Sequence, residues 1–259
     1  MNIHPACWLF RGHRRVAFVI AGVQKGGTTA LYQHLQQHPG VSMPRRKECH
    51  YFNTDHYFAL RDRGVRAYHA MFPRLKRGQI RGEATPAYLY CPAAAARIAR
   101  YNPDMRVIVL LRDPVARAYS HWVMEKSRGF ESLDFAAALR AEPARLRMEP
   151  HHLVYSYVDR GRYARQLQHL WQWIPREQTL VLRSESLLHE AHDTMCRVCA
   201  FLGIAPLPRD LIINTPVFAQ SYDRTIDPGL RKEILAGLAG DIQELALLLD
   251  WDCTDWLRC

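Results

Sequence analysis

A doubly wound α/β domain, with a parallel sheet flanked by helices, is the fold class this sequence predicts, and three observations carry it. Two near-continuous apolar runs, VAFVIAGV at 16–23 and RVIVLL at 106–111, suit strands buried on both faces of a parallel sheet. Helical patterns alternate with such runs along the chain. A glycine-rich turn, GVQKGGTTAL at 22–31, joins the first run to the first helical pattern in the manner of a P-loop-type phosphate loop.

The elements follow in order. After the first strand and its loop, a helix is expected at about 28–38. A weaker strand, GQIRGEAT at 78–85, precedes a helix at 92–101. The strand at 106–111 leads into a helix at 114–127, and a further helix at 161–174 precedes the strand TLVLRSE at 179–185. Helices at 187–202 and 229–249 complete the set, and Pro92 and Pro114 stand at helix starts, where proline is tolerated. No repeat, low-complexity tract or linker interrupts residues 1–259, which read as one domain. In such a sheet ligands bind beyond the carboxyl ends of the strands, so the residues that close strands and open helices matter most.

Composition narrows the partners. The 35 basic and 25 acidic side chains give a net charge of +10, which favours anionic ligands or simply a solvated basic surface. The basic residues are scattered and no nucleic-acid module signature is present. The first apolar run is too short to span a bilayer, and the start carries no signal-peptide pattern. Seven widely spread cysteines then suit free thiols in a reducing cytoplasm. Cys196 and Cys199 form a C-x-x-C near His189 and His192, but inside an amphipathic helical pattern, so buried packing is the expectation and no metal site is assigned.

The loop itself is an anion site on physical grounds. Gly22, Gly26 and Gly27 let the backbone wrap closely, the helix start aims its positive end inward, and Thr28 and Thr29 add hydroxyl donors. Lys25, however, sits in mid-loop, whereas nucleotide loops that use magnesium place lysine directly before the hydroxyl residue. The strand at 106–111 is closed by Arg112, with Asp113 only behind it, which suits a second phosphate better than a metal.

In four stretches, GVQKGGTTAL, RRKECHYF, GEATPAYLY and RDPVARAYSHW, the chain resembles the sulfotransferases that use 3′-phosphoadenosine 5′-phosphosulfate (PAPS), and in pattern the heparan sulfate and related bacterial branch. The resemblance covers most of the chain in order, and the first and fourth stretches are specific as a pair. It implies a sulfotransferase fold and sulfuryl transfer from PAPS to an acceptor hydroxyl without a metal. The amides of Gly26, Gly27, Thr28 and Thr29 would hold the 5′-phosphate, and Lys25 the oxygen bridging phosphate and sulfate. Arg112 and Ser120 would hold the 3′-phosphate, with Arg117 on the same helix face. Glu48 is the expected general base and His50 its rival, with Lys47 near the sulfate or acceptor; otherwise Glu48 would pair with Arg45 or Arg46 on a surface loop.

His121 reads as surface or packing, Tyr88 as site or core, and Tyr163 as near the nucleotide or packed. The position of Glu83 departs from some relatives. Of a nucleotide-closing loop, the segment 213–228 offers only Tyr222 and Arg224. Short loops over 126–152 are expected to select the acceptor: a carbohydrate, a peptide tyrosine or a small molecule. A kinase using magnesium-ATP and a non-catalytic nucleotide- or polyanion-binding module are the alternatives.

Overall fold

A computed structural model describes residues 15–60, 62–212 and 226–258. Tyr222 and Arg224 lie outside the described residues. Five parallel strands run in the order β2-β3-β1-β4-β5: β1 (Val16–Gly22), β2 (Val41–Ser42), β3 (Ile80–Ala84), β4 (Arg106–Leu111) and β5 (Thr179–Arg183). The expected strands are therefore present, and the last two residues of the expected fourth run open a helix instead. The short β2 was not legible, because only two residues pair with β3.

Alternation along β4 explains why its sequence is apolar throughout. Val107, Val109 and Leu111 face one core, while Ile108 and Leu110 face the other. On the first face pack α4 (Pro92–Tyr101), α5 (Pro114–Ser127), α7 (Tyr163–Trp171) and α10 (Pro228–Leu249). On the second lie α1 (Thr28–Gln37) and α9 (Ala191–Leu202), with the short α8 (Ser184–His189) before it. The helix expected over 187–202 is thus broken at Glu190, whose N–H closes α8 on Ser186 O and whose carbonyl opens α9 by accepting from Thr194 N. No helix among the described residues is long and apolar enough to cross a membrane.

Three helices escaped the sequence reading: α2 (Asp55–Ala59), α3 (Asp62–Ala70) and α6 (Phe135–Met148). In α3 the residues DRGVRAYHA give few apolar positions, and the helix is held mainly by Tyr68, which stacks on Tyr51 with ring centroids 4.3 Å apart. The short loops expected over 126–152 are a correction. Most of that span is α6, started by Asp134, whose carboxylate accepts from Ala137 N, and continued through Pro143.

Cys199 is fully buried in the second core against α9's neighbours, and Cys196 lies 3.8 Å from His192 Nε2 on the same helix. No cluster of metal-ligating side chains occurs among the described residues.

Candidate active site

The predicted site residues lie on the segments that follow the carboxyl ends of β1 and β4 and on a loop held beside the end of β3. β1 ends in the 22–29 loop, and Gly27 forms the start of α1 with φ of 87° and no side-chain cap. The first amides of a helix have no intrahelical acceptor, so Thr28 and Thr29 present theirs outward from the helix start. Gly26 is different. Its N–H already donates to Val23 O at 2.9 Å, so it is not a free anion donor as expected. Its missing side chain is what matters, since a Cβ there would lie 2.6 Å from Leu110 O of β4.

Lys25 adopts φ of 69°, a conformation that costs a non-glycine residue about 1–3 kcal/mol. Arg112, immediately after β4, donates from Nη1 to the Lys25 carbonyl at 3.3 Å and so braces the loop. The Arg112 carbonyl in turn accepts from the buried Tyr163 hydroxyl at 2.9 Å, which makes Tyr163 a support for the strand end. Burial, reinforced by the charges of Arg112 and Arg128 and opposed by Glu125, lowers the Lys25 amine from its ordinary range.

Asp113 is committed elsewhere. One carboxylate oxygen caps α5 by accepting from Val115 N and Ala116 N, and the other accepts from Arg231 of α10 at 2.8 Å. Ser120, two turns along α5, is 2% exposed. Arg117 is fully buried; its Nη2 donates to Tyr157 O, and Nε and Nη1 have no hydrogen-bond partner among the described residues. His121 is likewise packed inside, against the Tyr157 ring.

The second loop, residues 44–52, lies beside β3. Glu48 N donates to Ala84 O at 3.0 Å, and Tyr51 N donates to the Tyr88 hydroxyl at 3.0 Å. Both Glu48 (φ 69°) and His50 (φ 52°) are left-handed. Of the five non-glycine residues with positive φ among the described residues, three are Lys25, Glu48 and His50, and such strain gathers where function over-determines the backbone. Glu48 does not pair with Arg45 or Arg46. Its carboxylate accepts from Lys47 Nζ at 2.7 Å and lies 3.4 Å from His50 Nε2. Partial desolvation alone would raise the Glu48 carboxyl, but the His50 hydrogen bond and the Lys47 charge outweigh it and hold it at about 2. The same contact raises His50 above its ordinary value.

Glu83, left undecided by the sequence, is the anchor of this loop. It is fully buried and accepts from Tyr88 at 2.5 Å, Thr85 at 2.7 Å and Tyr68 at 3.2 Å. Tyr88 is therefore both core and part of the support for the 44–52 loop. Burial raises the Glu83 carboxyl, against the opposing pull of those three hydroxyl donors.

Two charged groups that the sequence reading missed complete the site. Glu125, 2% exposed on α5, lies 3.4 Å from Arg128 Nη1 and 3.6 Å from His121 Nε2, and its charge acts on Lys25. Arg160, 4% exposed, donates to the Gln24 side chain and to Leu153 O and sits over the Tyr90 ring. No local signal marks Arg160, because its partner Gln24 is 136 positions away. A cleft of about 390 Å³ between α6 and α10, lined by Leu139, Glu142 and Ile234 among others, contains none of the predicted site residues.

A parallel sheet whose first loop opens a helix start, with an arginine closing the next strand, is a P-loop-type fold. The chain belongs to the sulfotransferase family: the profile described as "Sulfotransferase domain" matches residues 16–221. Human heparan sulfate glucosamine 3-O-sulfotransferase 6 is 34% identical over 194 residues, 74% of this chain and 53% of that protein. Human heparan sulfate glucosamine 3-O-sulfotransferase 3B1 is 34% identical over 197 residues, 74% of this chain and 47% of that protein. The chain thus spans about half the length of these curated relatives. A crystal structure of a sulfotransferase from Alicyclobacillus acidocaldarius superposes with a TM-score of 0.79 at 30% identity, covering 94% of this chain and 99% of that one. A mouse sulfotransferase complexed with PAP shares the fold, with a TM-score of 0.55 at 14% identity over 92% of this chain and 86% of that one.

Proposed function

We propose that the chain moves the sulfuryl group of PAPS to an acceptor hydroxyl and releases adenosine 3′,5′-bisphosphate (PAP). The observation that carries this is the brace between Arg112 and the Lys25 carbonyl. It fixes a mid-loop lysine and a strand-ending arginine beside one helix start, a layout suited to a nucleotide with phosphates at both ends. The residues present fit PAPS. The amides of Gly27, Thr28 and Thr29 would hold the 5′-phosphate, and Arg112 and Ser120 the 3′-phosphate. PAPS supplies the transferable sulfuryl group. Lys25 holds its proton where charge builds on the departing oxygen, which favours the transition state over the ground state.

Glu48 takes the acceptor proton in this proposal. The Glu48 carboxyl, held at about 2, is anionic and able to accept a proton, while its contact raises His50 and so favours the form of that ring without a free lone pair. Lys47 would orient the sulfate or the acceptor. The commitment of both Asp113 oxygens to α5 and Arg231 speaks against a magnesium-nucleotide site at this strand end.

A carbohydrate hydroxyl is the first acceptor to test, supported by the names of the curated relatives; peptide tyrosine and small metabolites follow. One catalytic domain in a reducing, cytoplasmic setting belongs to the same proposal, supported by the long family match and the scattered cysteines. The test is incubation with labelled PAPS and each acceptor class, with mass spectrometry of the product. Alongside it, PAP without magnesium should raise the melting temperature more than magnesium-ATP does. Equal or greater stabilisation by magnesium-ATP, with no labelled product, would overturn the proposal.

A further inference from the structure

Arg160 is a buried cation that makes no direct ion pair among the described residues, although the charge of buried Glu125 acts on it. Its two Nη1 contacts go to neutral acceptors, Gln24 Oε1 at 2.5 Å and Leu153 O at 3.2 Å, and no carboxylate among the described residues lies within ion-pair distance. Burying a charge in this way is costly, and an apolar side chain of similar volume would often serve stability as well. Burial and the charge of Arg117 lower the guanidinium to about 10, against the opposing charges of Glu125 and Glu48.

Its mounting is nevertheless elaborate. Arg160 sits on the short turn Asp159–Gly161, whose preceding amides are gripped by Glu142 of α6: Val158 N at 2.8 Å and Asp159 N at 2.8 Å. Asp159 accepts from the Tyr90 hydroxyl at 2.8 Å, and the Tyr90 ring lies 4.9 Å beneath the guanidinium. Tyr90 at the end of the β3–α4 connection and Leu153 O contact the guanidinium, and Glu142 of α6 holds the backbone of its turn, so that three separate stretches fix it against the residue that precedes Lys25.

We propose that Arg160 is a positioning residue that fixes the donor loop at Lys25 by holding the Gln24 side chain, and through Leu153 O ties that loop to the 151–158 segment. This rests on the sulfotransferase reading above. It requires no contact between Arg160 and the nucleotide: the strained Lys25 backbone is braced by Arg112 on one side and, through Gln24, by Arg160 on the other.

The test uses the full chain and two readouts. The first is hydrogen exchange of the peptide spanning residues 22–31 in the nucleotide-free protein. Gln24→Leu and Arg160→Met should each speed exchange there by about tenfold. Gln24→Glu, which can accept a charge-assisted bond from Arg160, should keep protection at the wild-type level. The second is kcat, which should fall by about tenfold or more in Gln24→Leu, because misplacing a reacting group by a fraction of an ångström is expensive. The double variant should lose no more than Arg160→Met alone.

Unchanged exchange in Gln24→Leu would overturn the inference, and so would losses that multiply in the double variant. Should Arg160→Met fail to fold, Gln24→Leu and Gln24→Glu decide the matter. Failure of the sulfotransferase reading is distinct: the wild-type protein would transfer no sulfate, while the exchange result would stand or fall on its own.

Discussion

The sides of the candidate site proposed to hold the donor and the acceptor are built in different ways. On the donor side, Lys25, Gly27, Thr28 and Arg112 follow directly from strand ends, and neighbours in the sheet hold them: Gly26 packs on Leu110 O, and Arg112 grips the Lys25 carbonyl. On the acceptor side, Glu48 and His50 ride on an irregular loop. Side chains anchor it from far along the chain, above all the Glu83 hub with Tyr68, Thr85 and Tyr88. A site whose donor half is fixed by the sheet and whose acceptor half hangs on buried side chains can vary its acceptor without disturbing the donor.

The largest effects are expected at the reacting atoms. Glu48→Gln should lower turnover by about 10²–10⁴-fold while leaving PAP affinity by calorimetry nearly unchanged. Lys25→Ala should cost about 10²–10³-fold in turnover and also weaken PAPS binding, because the proposal sets its ammonium against the donor. Near-normal turnover in Glu48→Gln with a dead His50→Ala would move the base to His50. Next in size is Arg112→Ala, which should weaken PAP binding by about 2 kcal/mol but cost far less for adenosine 5′-phosphosulfate, which lacks the 3′-phosphate. Equal losses for the two nucleotides would make Arg112 a brace only.

The same division sets what the sequence could reveal. Glycines at 22, 26 and 27, a lysine between them and an arginine closing β4 are local patterns, and the sheet carries them to one edge, so both the fold and the donor half were legible. Gly26 shows the limit of that reading: the residue was singled out, but its N–H is spent on Val23 O and close packing is what demands it. Arg160 was not legible, because its partner Gln24 is 136 positions away, while Glu125 and Glu83 have partners close in sequence and only their burial, which the fold supplies, separates them from surface charge. The helix α6 was hidden by the charged and proline-bearing run LRAEPARLRM, read as loop until Asp134 is seen to cap it.

A smaller effect separates support from chemistry at Glu83. Glutamine keeps the size of the side chain but can accept at only one of its two former oxygens, leaving at least one of the three hydroxyls poorly paired. Glu83→Gln should therefore cost about 1–3 kcal/mol in denaturant unfolding. It should also lower turnover while PAP affinity holds, since the donor loop has its own supports. Equal loss of PAP affinity would show that the two halves are not mechanically separate.

The smallest effect is a titration. His50 is raised above 6.5 by its hydrogen bond to Glu48, so the contact contributes fully below 6.5 and is lost as pH rises through the raised value. Glu48 is lowered from 4.5 to about 2, so its contribution is present above 4.5 and lost as pH falls towards 2. The pair is thus intact from about 4.5 to somewhat above 6.5, the window in which one partner is anionic and the other cationic. Side chains that are 41% and 40% exposed leave the contact open to solvent screening, so its effect on global stability should be slight. The imidazole signal of His50 is the sensitive probe. By NMR its midpoint should lie above 6.5, move down in Glu48→Gln, and move down in part when salt is raised. A midpoint that ignores Glu48→Gln would mean that His50 is set by Asn53, whose side chain lies 3.2 Å from Nδ1, and the acceptor loop would then hold two independent groups rather than a coupled pair.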